Sequence, residues 1–173
     1  MILDPNSLMK TVDNINERFL NNKIISGEEG LEAARWIVSR QGKKGAYRSM
    51  FAPTESDFQQ GIRVFTGERL VSASARHIMG QEAARAAWLL GKQDSIVREA
   101  YDQATGWMHD APDFQRTGTF CCGRCTLAFW RHFWVGNFNN KERQISKGLE
   151  WMKNLRLGDG KWRRFPFFYT IYT

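Results

Sequence analysis

An all-α fold built from stacked helical hairpins follows from three features of this 173-residue chain. Apolar residues recur at helical spacing in successive stretches, the period of one buried helix face. Start and stop residues bracket those stretches, as at Ser26-Gly27-Glu28-Glu29 and Gln41-Gly42. A helix–loop–Gly-x-aromatic unit then recurs three times along the chain.

Taken in order, Asp4-Pro5 offers an N-cap with Pro at the first helical position, and Leu8, Val12, Ile15 and Phe19 form an apolar stripe. The capping box at Ser26 opens a second helix with Leu31, Ala34, Ile37 and Val38 on one face. Residues 61–72 break the helical pattern. There Gly61-Ile62-Arg63-Val64-Phe65 and Arg69-Leu70-Val71-Ser72 flank Gly67 and predict a small β-hairpin insertion. An Ala-rich helix runs from Ser74 to Gly91, and Asp94 opens another carrying Ile96, Ala100, Ala104, Trp107 and Met108. Arg124 to Val135 is helical and heavily aromatic, with Phe129, Trp130, Phe133 and Trp134. Asn139 or Asn140 caps a helix with Ile145, Leu149 and Met152 inward, and Pro166 to Thr173 begins a last one. Residues 1–173 read as a single helical-repeat domain. An N-terminal helix lies within 1–25, followed over 26–173 by about three helix-pair repeats, the last incomplete.

Composition narrows the function. The balance of 25 Lys+Arg against 18 Asp+Glu leaves a net charge of +7, but the basic residues are spread along the chain. The densest clusters, Arg40 to Lys44 and Lys161 to Arg164, match no nucleic-acid-binding signature, so a solvated basic face and no specific nucleic acid are expected. No stretch approaches the apolar length of a membrane span, and no transmembrane segment is expected. Met1 to Asn6 lacks the basic-then-apolar order of a secretory signal, and three Cys crowd into residues 121–125. Together these point to a reducing, cytoplasmic setting.

Trp36, Trp107 and Trp151 each sit near the end of an amphipathic helix. Each is followed by Gly-x-aromatic: Gly45-Ala46-Tyr47, Gly118-Thr119-Phe120 and Gly160-Lys161-Trp162, at gaps of 9, 11 and 9 residues. The two long apolar helices also align at an offset of 45, matching Gly91 to Gly136 and Arg76-His77 to Cys121-Cys122. Stacked helix pairs account for this pattern: amphipathic helices bury one face, and the helices between them are covered nearly all round.

Gln41-Gly42-Lys43-Lys44-Gly45-Ala46-Tyr47 resembles the Q-x-x-x-G-x-W motif of triterpene cyclases, and Asp159-Gly160-Lys161-Trp162 is similar to its D-G-x-W form. Over about residues 26–173 the chain resembles the prenyltransferase and squalene-cyclase repeat superfamily. The resemblance implies an α/α toroid whose inner helices surround a hydrophobic cavity. Three repeats supply about half of a six-hairpin ring, which leaves two expectations open: a truncated ring, or a homo-oligomer joined through the exposed repeat flank. The chain departs from the family's chemistry: it carries no D-x-D-D cluster, and no zinc-ligating Asp, Cys and His set can be assigned.

In such a ring the inner-helix ends face the cavity mouth. Glu68, His77, Glu82 and Asp57 are then candidates for acid–base work, and Arg69, Arg76, Arg124 and Arg163 for anion contacts. Trp130, Trp134 and Trp162 are candidates to line an apolar ligand pocket. Cys122 and Cys125 form a C-x-x-C pair with His132 seven residues beyond. Those three are the candidate metal ligands, but two helical turns separate Cys125 from His132 and four-coordinate zinc needs a further ligand. No cofactor is therefore expected, zinc being the one ion considered. Three functional readings remain open: a prenyltransferase- or terpene-cyclase-like protein holding an isoprenoid or other apolar ligand, a carbohydrate-processing toroid using Glu68 and Asp57, and a non-catalytic interaction scaffold.

Overall fold

The computed structural model describes residues 1–71 and 73–173. Ser72, the last residue of the expected hairpin, lies outside them. The described residues form nine α-helices and one 3-10 turn, with isolated bridges and no sheet. The chain is all-α.

Helix α1 is Leu8–Leu20, and its N-cap is Ser7, whose hydroxyl accepts from the Lys10 amide at 3.0 Å. The cap thus falls three residues beyond Asp4, because Ser7 is anchored from elsewhere in the chain. Helix α2, Gly27–Val38, starts at Ser26 as its sequence predicts. The capping box is only half formed, since the Glu29 carboxylate accepts from the Ile2 amide at 2.8 Å. That bond ties the N-terminal segment to α2.

Two six-residue helices, α3 (Glu55–Gln60) and α6 (Pro112–Thr117), were not visible in the apolar periodicity, which needs more than two turns to register. Helix α4 is Ala73–Gly91 and α5 is Ser95–Thr105. A 3-10 turn over Gly106–Met108 follows α5, so Trp107 sits beyond that helix, and Ile96 points outward. Helix α7 is Gly123–Val135, α8 is Lys141–Lys153 and α9 is Phe167–Ile171. Asn140 precedes α8 in a left-handed conformation without a side-chain cap, and Leu149 is exposed rather than inward.

The expected hairpin contracts to one antiparallel bridge between Arg63 and Arg69, with Gly67 in the turn. Ile62, Val64 and Leu70 are buried in the core. Their burial against helices replaces the neighbouring strands that an isolated two-stranded ribbon needs.

Helix α4 packs against α1, α2, α5 and α7, and α7 also meets α8 and α9. This explains the composition of the two central helices, which are buried on nearly every side, while α2, α5 and α8 bury one face. Gly118 shows what the repeated Gly-x-aromatic unit requires. Its φ of 70° closes α6, and its carbonyl accepts from the Trp130 indole at 2.7 Å. A Cβ there would collide with the backbone of Gln144 and Gly148 in α8. Gly45 and Gly160 share the positive φ, and Tyr47, Phe120 and Trp162 after the three glycines all pack against the core.

Asp57, a sequence candidate for acid–base chemistry, is fully buried and serves two helix starts. Its carboxylate accepts from the Ser7 hydroxyl at 2.5 Å and from the amides of Leu8 at 3.0 Å and Met9 at 3.3 Å. It also accepts from the Thr54 amide at 2.8 Å, completing the capping box of α3. With both oxygens engaged and no solvent contact, Asp57 joins α3 to α1. Asp57→Ala strands these donors, so a loss of about 2–4 kcal/mol in urea-denaturation stability is expected. An unchanged midpoint would remove this role.

Candidate functional site

An apolar recess lies between α7, α8 and α9. It has a volume of about 410 Å³ and is lined by Leu127, Trp130, Trp134, Ile145, Leu149 and Met152, with Ser146, Thr170 and Thr173 at its polar margin. Among the described residues Glu142 contributes the one charged side chain to the lining. The Trp130 indole is held by Gly118, so its ring faces the recess while its N–H is satisfied. Trp134 is 54% exposed, as expected of a side chain on the recess wall. The structure therefore brings two of the three candidate pocket tryptophans together. Trp162 lies in a different recess with Arg156, Gly158, Gly160 and Lys161.

None of the four candidate arginines lines this groove. Arg69 and Arg163 are exposed. Arg76 shares a recess of about 540 Å³ with Arg40, Lys43, Lys44 and Glu55. Arg124 borders another recess with Cys122 and Arg164.

Glu82 and His77 fall into two buried polar networks at the α4–α7 contact. In the first, Arg131 Nε donates to Glu82 at 2.8 Å, with both side chains almost wholly buried. The Tyr169 hydroxyl donates to the same Glu82 oxygen at 2.5 Å. Arg85 and Arg131 both donate to Asn16, at 2.9 and 3.0 Å, and Arg131 also donates to the Tyr172 carbonyl at 2.6 Å. Burial opposes ionisation of Glu82, but Arg131 and Arg85 hold its carboxyl below the ordinary range. Glu82 is thereby a fixed anion with its lone pairs occupied, an arrangement suited to clamping helices. Glu68 accepts from the Thr66 hydroxyl and, at 3.3 Å, from the Tyr169 amide, so it buttresses α9 beside this network.

Asp13 was not a sequence candidate. Burial first, then the carboxylates of Glu82 and Asp57, raise its carboxyl to about 7. The sequence signal was available: Asp13 and Asn16 lie three residues apart beside the apolar stripe of α1, where a solvated pair is not expected.

The second network is a chain of neutral groups. The Tyr101 hydroxyl lies 2.7 Å from His132 Nε2, and His132 Nδ1 lies 2.5 Å from Gln81 Oε1. Gln81 Nε2 lies 3.2 Å from His77 Nε2. Burial lowers His132 to about 3 and His77 to about 4, with Arg85 and Arg48 respectively adding to the effect. Both rings are neutral at pH 7. One proton order links the chain and leaves His77 Nδ1 unpartnered: Tyr101 donates to His132, His132 to Gln81, and Gln81 to His77. His132 is therefore committed to Tyr101 and Gln81 and is not a partner of the cysteines. His77 stacks on Phe120 at 4.7 Å and meets Tyr47 edge-on at 4.7 Å, which places it in aromatic packing.

The thiols converge without a histidine. The sulfurs of Cys121, Cys122 and Cys125 lie within 4.8 Å of one another at the start of α7. A hydrogen bond from the Cys125 thiol, aided by backbone amides and opposed by burial, lowers Cys122 to about 5. The same bond, with burial, pushes Cys125 well up.

Comparison of the chain with protein-family models, with curated proteins and with solved structures finds no match.

Glu82→Gln leaves the Arg131 guanidinium buried without its counter-charge, and chemical denaturation is expected to show a loss of about 3–5 kcal/mol. Replacing both residues, Glu82→Gln with Arg131→Met, should recover part of that loss. Asp13 binds its proton more tightly folded, near pH 7, than at the ordinary 3.8. The resulting stabilisation is complete below about pH 4 and is lost as pH rises through 7. Asp13→Asn should flatten the pH dependence of stability across that window and add about 1–2 kcal/mol near pH 8, after allowance for partial solvent contact.

Proposed function

We propose that this protein is a prenyltransferase- or terpene-cyclase-like helical repeat that binds a neutral isoprenoid or similar apolar ligand in the α7–α8–α9 groove. The observation that carries the reading is the groove itself: about 410 Å³, walled by two tryptophans and aliphatic side chains, and open to solvent. That volume falls within the ordinary range of ligand pockets, about 300–1,000 Å³. The paired packing of α2 with α4, α4 with α5, and α7 with α8 supports a toroid-like succession of helical hairpins. The positive φ of the three repeat glycines supports the same succession.

The charge pattern selects among isoprenoids. Among the described residues Glu142 is the only charged side chain on the groove, and no Lys or Arg side chain lines it. A diphosphate would meet no counter-charge there, whereas an alcohol finds Ser146, Thr170 and Thr173 as hydrogen-bonding partners. The reading is one of binding, because Glu82 and Asp57 have their oxygens occupied by internal partners. The same occupancy weighs against Asp57 as half of a glycosidase carboxylate pair.

Self-association through this face is the second reading. It is favoured by the exposure of Trp134, Leu149, Phe168 and Ile171 on the three helices that form the groove.

Tryptophan fluorescence titration with a linear prenyl alcohol, run beside the matching diphosphate, tests the assignment. Saturable quenching is expected with the alcohol, together with a rise in thermal stability worth about 2.7 kcal/mol at a hundredfold excess over Kd. Leu149→Arg should abolish both effects while leaving the circular dichroism spectrum unchanged. An absence of quenching and of stabilisation across the series would sink the proposal. Light scattering showing a dimer that Leu149→Arg converts to monomer would favour the second reading.

A further inference from the structure

Cys121, Cys122 and Cys125 are not used by the groove or by either buried network. Among the described residues they are the one group of three or more His, Cys, Asp and Glu side chains close enough to share an ion. We propose that they form a trithiolate site for a single thiophilic ion of the Zn(II) or Cu(I) class.

The geometry carries the inference. Sulfurs bound to one ion at about 2.3 Å sit somewhat under 4 Å apart, so separations within 4.8 Å need only small side-chain rotations to close. Two of the thiols, Cys121 and Cys122, are exposed, and Cys125 is buried on the first turn of α7. An ion thus has a route in from solvent and a fixed inner ligand. Cys121 has a φ of 57°, a left-handed conformation that turns the chain back on itself immediately before the helix.

The surroundings suit the charge of such a complex. Three thiolates and a divalent ion leave one net negative charge, and with a monovalent ion they leave two. Arg124 and Arg164 lie on the recess that Cys122 borders, together with Phe165 and Pro166. Gly123 lets this assembly form, because a Cβ there would run into the Arg164 carbonyl and the Phe165 ring. The ion would therefore sit where the start of α7 meets the loop leading into α9. Binding would displace the thiol protons to solvent and leave sulfur oxidation states unchanged. Three sulfurs complete a trigonal Cu(I) sphere or leave the fourth position of tetrahedral Zn(II) open to water.

The test uses the full chain, reduced and freed of metal. Titration with Co(II) is expected to produce a thiolate-to-cobalt charge-transfer band that saturates at one ion per chain. Zn(II) and Cu(I), added in separate arms, should each bleach that band, and their relative potency identifies the preferred ion. Bound Zn(II) should protect all three thiols from alkylation together, read by intact mass. Cys121→Ser, at an exposed position, should weaken binding by at least ~10-fold, since even outer-shell changes cost that much. Its circular dichroism should match that of the parent. Absence of the band, protection of fewer than three thiols, or equal affinity in Cys121→Ser would overturn the proposal. The last two results would assign a Cys122–Cys125 dithiol instead.

Discussion

The buried pairing of Glu82 with Arg131 sets conditions that much of the surrounding structure has to meet. Two charges removed from water at the α4–α7 contact cost several kcal/mol each unless every lone pair and N–H finds a partner. Asn16 on α1, Tyr169 on α9 and the Tyr172 carbonyl supply those partners. The pair thereby draws both ends of the chain onto the central helices. Phe65 lies 4.5 Å from the Arg131 guanidinium and covers it from the loop that carries the Arg63–Arg69 bridge. One ionic contact thus recruits three segments remote in sequence.

Beside it, the Tyr101–His132–Gln81–His77 chain joins α5, α7 and α4 through groups kept neutral by burial. The two networks impose different specificities on the same helix pair. The ionic one fixes which segments cover α4 and α7 on the side of α1 and α9. The neutral one fixes the rotation of α7 relative to α4 and α5, since sliding α7 by a turn breaks both hydrogen bonds of His132. Such polar contacts add less to net stability than apolar packing of equal volume, but each wrong arrangement leaves a buried group unpaired. The candidate ligand groove lies instead on the α8 side of α7, where apolar side chains are covered less completely.

Several expectations drawn from residue order hold because their causes are local. Ser26 caps α2 through its own third following amide, and Gly118 closes α6 through its own φ. Trp130 and Trp134 were legible as candidate pocket residues because four-residue spacing puts both on one face of a single helix. Asp57 and Glu82 misled for the opposite reason. An acidic residue near a turn or on an apolar helix has the same sequence appearance whether it faces a cavity or a partner 49 residues away, as Glu82 does with Arg131. His132 was set beside the cysteines on spacing, while its ring turns to a tyrosine in another helix.

By itself the sequence determined the all-α class, most of the longer helices, the three glycine turns and the crowding of thiols at the start of α7. These depend on backbone preference, side-chain period and covalent neighbourhood, all of which act within a few residues. Tertiary structure alone decided which carboxylates are silenced by burial, that Asp13 holds its proton to about pH 7, that Cys121 rather than His132 completes the thiol group, and that the hairpin shrinks to a bridge. Each of those outcomes turns on how far a group is removed from water and which charge or hydrogen-bond partner arrives from a distant segment. That information appears only once the helices are packed.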